Sequence, residues 1–120
     1  MTLATKNLGN NGEDLAALYL ESIKYKIIDR NVNLKYGEID IIAEDRDFIV
    51  LVEVKTKTIF AQGRPEEMIN YFKKKKLLLL SRALCQQYPE KNIRIDVVAV
   101  DMTLNKPKIN HIINAVEGNL

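Results

Sequence analysis

Cysteine and histidine each occur once in this 120-residue chain, and no apolar run approaches the roughly 18 residues that a membrane-spanning helix needs. With Cys85 alone, an internal disulfide is excluded, and a lone cysteine on a helix reads as a small core residue. A zinc site would need several Cys or His at ligand spacing. A single His111 likewise gives little basis for a Ser-His-Asp or Cys-His nucleophile. The most apolar stretch, Leu77 to Leu80, follows four lysines, and residues 1–8 lack the apolar core of a signal peptide. The expectation is a cytoplasmic protein with no membrane partner.

An excess of one charge is also missing. Eighteen basic residues face sixteen acidic ones, for a net charge of +2, so overall charge does not announce a nucleic-acid partner. The distribution is more informative, because Lys73, Lys74, Lys75 and Lys76 are consecutive. A run of this kind on a helix is commonly a solvated face.

What is present fits one α/β domain. The hydrophobic fraction is 47%, enough at this length for a single core. There is no repeat and no low-complexity linker. Residues 1–8 read as a loose arm, 9–116 as the domain and 117–120 as a tail. Asn11 or Gly12 opens a helix with Glu13 and Asp14 in its first turn, where carboxylates favour the positive end. Leu15, Leu18 and Ile23, with Ala16 and Tyr19, give its expected apolar stripe, and it ends between Ser22 and Tyr25. Three Ile- and Val-rich strands follow, Ile27 to Leu34, Glu38 to Ala43 and Phe48 to Thr56. Their gaps are short enough for antiparallel hairpins. Gly63-Arg64-Pro65 then starts a second helix, since proline suits the first helical position. That helix runs to about Gln87, where Tyr88-Pro89 stops it, with Ile69, Phe72, Lys76, Leu80 and Leu84 along its stripe. Strands over Ile93 to Val100 and Ile109 to Ala115 complete the order αβββαββ. The long helix carries the chain to a parallel neighbour, which predicts a mixed β-sheet flanked by helices.

Strands two and three hold the chemistry. By alternation, Ile39, Ile41 and Ala43 share an apolar face with Val50, Val52 and Val54. Glu38, Asp40 and Ile42 share the other with Leu51, Glu53 and Lys55. A hairpin turning between Arg46 and Asp47 places Asp40 opposite Glu53, Glu38 opposite Lys55 and Ile42 opposite Leu51. Arg-Asp is not the favoured pair for a two-residue turn, so a longer loop or a register shifted by two stays open. Opposed carboxylates destabilise a sheet, and desolvation adds to that. A hard divalent cation such as Mg²⁺, which prefers carboxylate oxygens and water, would compensate. Lys55 on the same face would handle water and steady charge on a phosphate. The competing reading is a cross-strand ion pair on a solvated face.

Asp40 followed by Glu53-Val54-Lys55 resembles the motif of the PD-(D/E)xK nuclease superfamily. Gly12-Glu13, Arg30-Asn31, Gly37 to Ala43, Val52 to Lys55, Gly63-x-Pro65, Arg94 to Val98 and His111 to Ala115 narrow this to a resemblance to the YraN family. That family is similar to archaeal Holliday-junction resolvases. The resemblance implies a three-layer restriction-endonuclease-like fold and a metal-dependent endonuclease acting on phosphodiester bonds in DNA, including branched or structured DNA. It also suggests a homodimer. It further implies that Asp40 and Glu53 ligate Mg²⁺ or Mn²⁺, with the Val54 carbonyl and Glu13 as further ligands. Lys55 takes the water-handling role, and Lys73 and Lys76 lie near the scissile phosphate.

Several residues keep a plainer alternative. Glu13 would favour its helix N-terminus in any case. Glu38 either orients Lys55 or pairs with it, and Arg94 and Asp96 bridge each other. His111 reads as a surface or strand-edge polar residue, and Gly63 serves the turn before Pro65. Two rival functions remain open. One is a non-catalytic nucleic-acid-binding module with a nuclease-like fold, and the other is a protein-interaction module using a sheet edge.

Overall fold

The computed structural model describes residues 12–58 and 70–116. The elements are α1 (Gly12–Ser22), β1 (Lys26–Leu34), β2 (Gly37–Asp45), β3 (Phe48–Lys57), α2 (Tyr71–Gln87), β4 (Asn92–Asp101) and β5 (Lys108–Ile112). This is the expected order. The strands form one five-stranded sheet, β1-β2-β3-β4-β5. Only β3 and β4 are parallel, and the other pairs are antiparallel. One sheet face packs α1 through Ala16, Leu20, Ile41, Val52 and Val98. The other packs α2 through Leu77, Leu80, Leu84, Leu51 and Ile95. Covered on both sides, β3 and β4 carry the near-continuous apolar runs of buried strands.

The β2–β3 hairpin turns through Arg46 and Asp47, flanked by the pair Asp45 and Phe48. Arg46 adopts the positive φ (57°) that a tight two-residue hairpin turn asks for. No longer loop is used, and Ile42 faces Leu51 as expected.

Five expectations need correction. The buried stripe of α1 is Gly12, Ala16, Ala17 and Leu20, whereas Leu18 is 54% exposed and Ile23 is 38% exposed. Small residues face the sheet because the helix lies close to it: a Cβ on Gly12 would sit 2.0 Å from Thr56 Oγ1 on β3. The second helix begins at Tyr71, capped by Asn70 in extended conformation, whose side chain accepts from the Lys73 N–H. Gly63, Pro65 and Ile69, like the 1–8 arm and the 117–120 tail, lie outside the described residues. Its core stripe is Leu77, Leu80 and Leu84, and Phe72 points to solvent. The last strand stops at Ile112, before Asn114 takes a positive φ of 56°. Cys85, expected in the core, is exposed.

Among the described residues, no helix is long and apolar enough to cross a membrane.

Candidate metal and phosphate site

The site forms where β2 and β3 part. Their paired stretch ends at Ile41 and Val52. Just beyond it, the Val54 N–H donates to Asp40 Oδ2 at 2.8 Å, so a side-chain carboxylate replaces a main-chain acceptor and the ladder opens. The expected opposition of Glu38 and Lys55 is therefore not formed. The alternation of faces breaks at the same place. Ile41 packs in the α1 cluster, but Ile39 packs in the α2 cluster with Ile42. On β1, Arg30 faces Ile41 and Val32 faces Ile39, and between them Asn31 takes a left-handed φ of 55°. This local reversal re-aims the chain around Asp40, as strand irregularities near functional sites commonly do.

Glu53 is buried, with 4% of its surface exposed. It follows Leu51 on the face covered by α2, and its Oε2 receives two ammonium groups. Lys73 Nζ of α2 lies at 2.9 Å and Lys55 Nζ at 3.4 Å. Asp40 is less well served. Its carboxyl is pushed up from 3.8 to about 6, first by burial and then by the Glu53 and Glu13 carboxylates. The Val54 N–H and Lys73 oppose this without cancelling it. Under-compensated carboxylate charge of this kind marks candidate functional sites.

Glu13 reaches the neighbourhood because Gly12 lets α1 rest directly on β3. Its Oε2 accepts from Arg30 Nε at 3.2 Å, while Arg30 Nη2 bonds Asp14 Oδ1 at 2.6 Å. Arg30 thus ties the start of α1 to β1, a positioning role the sequence did not reveal. Lys76 sits against the β1–β2 turn, where a Cβ on Gly37 would lie 2.3 Å from its Cε. With φ at 141°, Gly37 occupies backbone space that suits glycine.

The donor set suits a hard cation. Asp40 and Glu53 supply carboxylate oxygens, and Mg²⁺ commonly takes one or two carboxylates, with water and phosphate oxygens completing its shell. Among the described residues no three His, Cys, Asp or Glu side chains converge into a ready-made cage.

A second charged cluster was only partly foreseen. Asp96 on β4 is fully buried. Arg94 grips it with Nε at 2.9 Å and Nη2 at 3.1 Å, and His111 Nε2 lies at 2.7 Å. The Asn114 N–H (3.1 Å) and the Tyr25 hydroxyl (3.3 Å) add donors. Burial alone would raise this carboxyl, but the bonds from His111, Arg94 and Asn114 outweigh it and hold it low. With a proton on Nε2, His111 donates to Asp96 and its Nδ1 accepts from the Tyr19 hydroxyl at 3.0 Å. Burial and nearby Asp96 push the Tyr25 hydroxyl up to about 12. Arg94 and Asp96 do bridge each other, but His111 is buried rather than a surface group. Its pairing with Asp96 is set by the β4–β5 antiparallel register, which no short motif encodes.

The sequence profile of the uncharacterised protein family UPF0102 matches residues 12–100. A UPF0102 protein of Geobacter metallireducens is 40% identical over 119 residues, covering 98% of both chains. One from Syntrophomonas wolfei is 44% identical over 114 residues, covering 92% of this chain and 97% of its own. One from Thermodesulfovibrio yellowstonii is 43% identical over 117 residues, covering 94% and 98%.

Proposed function

From a chain that belongs to the UPF0102 family, also called the YraN family, we propose a metal-dependent nuclease that hydrolyses phosphodiester bonds in DNA. The observation that carries this reading is the nearness of Asp40 to the charge of buried Glu53 where β2 and β3 part, with Lys55 and Lys73 on Glu53. The three-layer arrangement is compatible with a restriction-endonuclease-like fold. Branched or structured DNA is the substrate suggested by the resemblance, and a homodimer would suit a two-stranded target.

Asp40 and Glu53 would hold Mg²⁺ or Mn²⁺, with the Val54 carbonyl nearby and Glu13 contributing through water. When bound, the cation supplies Lewis acidity and neutralises charge developing at phosphorus. Lys55 holds and orients the attacking water, and its ammonium group favours loss of the water's proton. Lys73 now neutralises Glu53. Released from that role, it would turn its charge to the phosphate. Lys76, further along α2, would contact the nucleic-acid backbone.

The test is a cleavage assay on labelled Holliday junction, flap, duplex and single-stranded DNA, in Mg²⁺, Mn²⁺ or chelator. The expected result is metal-dependent product, lost by at least about a hundredfold in Glu53→Gln and in Asp40→Asn, the scale of removing a group central to transition-state charge. Lys55→Ala should retain metal binding by calorimetry but lose turnover. Full activity in either carboxylate variant would remove this mechanism. One observation favours the non-catalytic reading: Lys55 and Lys73 both pair with Glu53, so the chain's own ammonium groups balance its charge. Salt-sensitive binding with no product under any metal would establish that alternative.

A further inference from the structure

The first turn of α2 turns two aromatic rings to solvent. Tyr71 is 67% exposed and Phe72 is 78% exposed, more than any other large apolar side chain among the described residues. Their centroids are 5.4 Å apart and their planes are at 78°, an edge-to-face pair. A single exposed apolar side chain is ordinary, but here two adjacent rings forgo burial together and a run of lysines follows. Helical spacing places Lys75 three residues after Phe72 and four after Tyr71, on the face they share. Lys73 turns the other way, and its Nζ meets Glu53 at 2.9 Å. The rings therefore stand within one helical turn of a side chain that touches the candidate site.

We propose that Tyr71 and Phe72 form a stacking platform for unpaired bases, so that the nucleic acid taken by the site is single-stranded where it meets α2. This rests on the nuclease reading and narrows its substrate class. A duplex hides the faces of its bases within its own stack, so two exposed rings gain little from it. An unpaired strand offers both partners this surface needs. Its bases present π-faces to Tyr71 and Phe72, and its phosphates meet the adjacent lysines. Because every base has a π-face, recognition would be tolerant of sequence.

The test uses the full chain in chelator, where metal-dependent cleavage cannot interfere. Fluorescence anisotropy would compare a labelled oligothymidylate with a hairpin duplex, and a single strand carrying 2-aminopurine would report stacking by quenching. The expected result is a preference for the single strand, with 2-aminopurine quenched on binding. Tyr71→Ala with Phe72→Ala should lose the quenching and weaken single-strand binding by about tenfold or more, while duplex binding is unchanged. Tyr71→Phe should bind like the parent, and Lys75→Gln should flatten the salt dependence. Both altered rings are exposed, so circular dichroism should show the fold intact. Unchanged single-strand affinity in the double variant, or a parent preference for duplex, would overturn the platform. So would a self-association in sedimentation that the double variant abolishes, because the rings would then belong to an interface between copies. Stacking without metal-dependent cleavage would retire the nuclease reading alone. Cleavage and binding that ignore the ring substitutions would retire the platform alone.

Discussion

Two aspartates flank β3, one on each neighbouring strand, and they end in opposite electrostatic states. Asp96 on β4 collects Arg94, His111, Tyr25 and the Asn114 N–H, and its carboxyl is held low. Asp40 on β2 collects the Val54 N–H, faces the carboxylates of Glu53 and Glu13, and its carboxyl is raised to about 6. Burial pushes both in the same direction, so the number of donors decides the sign. A satisfied buried carboxylate fixes structure. An under-satisfied one strains the fold, and such strain is expected where function requires it.

The sharpest way to break this comparison is to neutralise each aspartate without changing its shape. Asp96→Asn should destabilise the protein by about 3 kcal/mol at neutral pH, because Arg94 would lose its buried counter-charge and keep only the more exposed Asp45, 3.1 Å from its Nη1. The Asp96 carboxyl is held low, so its stabilisation is present above the ordinary carboxyl range and is lost as pH falls through the folded-state value. Denaturant titrations should therefore show the gap between parent and variant closing in acid. A gap of less than about 1 kcal/mol at pH 7 would mean that Asp96 is not the anchor of its network.

Gly12→Ala sharpens the comparison from the helix side, because it tests what brings Glu13 towards Asp40. The added Cβ would meet Thr56 Oγ1 at 2.0 Å and Thr56 Cβ at 3.0 Å. The expected loss is about 1–3 kcal/mol, the usual scale of overpacking, read as a lower thermal midpoint. An unchanged midpoint would show that α1 can lift from β3 freely.

Asp40→Asn should give the smallest change and the opposite sign from Asp96→Asn. A carboxyl raised from 3.8 to about 6 favours the folded state fully below its unfolded value, and that contribution is lost as pH rises through about 6. Asparagine stays neutral and can still accept the Val54 N–H. In chelator at pH 8 the variant should be about 1–2 kcal/mol more stable than the parent, after discounting for partial exposure. Near pH 3 the two should coincide. A loss of stability at pH 8 would show that Asp40 is as well compensated as Asp96.

Much of the candidate site was legible because a two-residue repeat fixes which strand residues share a face. Leu51, Glu53 and Lys55 do lie on one side, and the turn at Arg46-Asp47 sets Ile42 against Leu51. Alternation breaks at Asp40, where Ile39 joins the α2 cluster rather than the α1 cluster. Periodicity is also a weak guide on the helices. In α2, Leu77 to Leu80 is apolar in every direction, so periodicity cannot fix the phase, and Phe72, which it places on the core stripe, is 78% exposed. In α1, large side chains suggested the stripe, while the close approach to β3 selected Gly12, Ala16 and Ala17.

The sequence by itself determined the order of the elements, the β2–β3 hairpin, and the presence of Asp40, Glu53 and Lys55 on adjoining strands. Those features rest on local periodicity and short-range turns, which neighbouring residues specify. Only the tertiary structure decided that Lys73 would cross from α2 to Glu53 and that His111 would close on Asp96. It also decided that Tyr71 and Phe72 would face solvent. Each of these depends on how a helix or a distant strand docks on the sheet, where contact energy is exchanged between residues far apart in the chain.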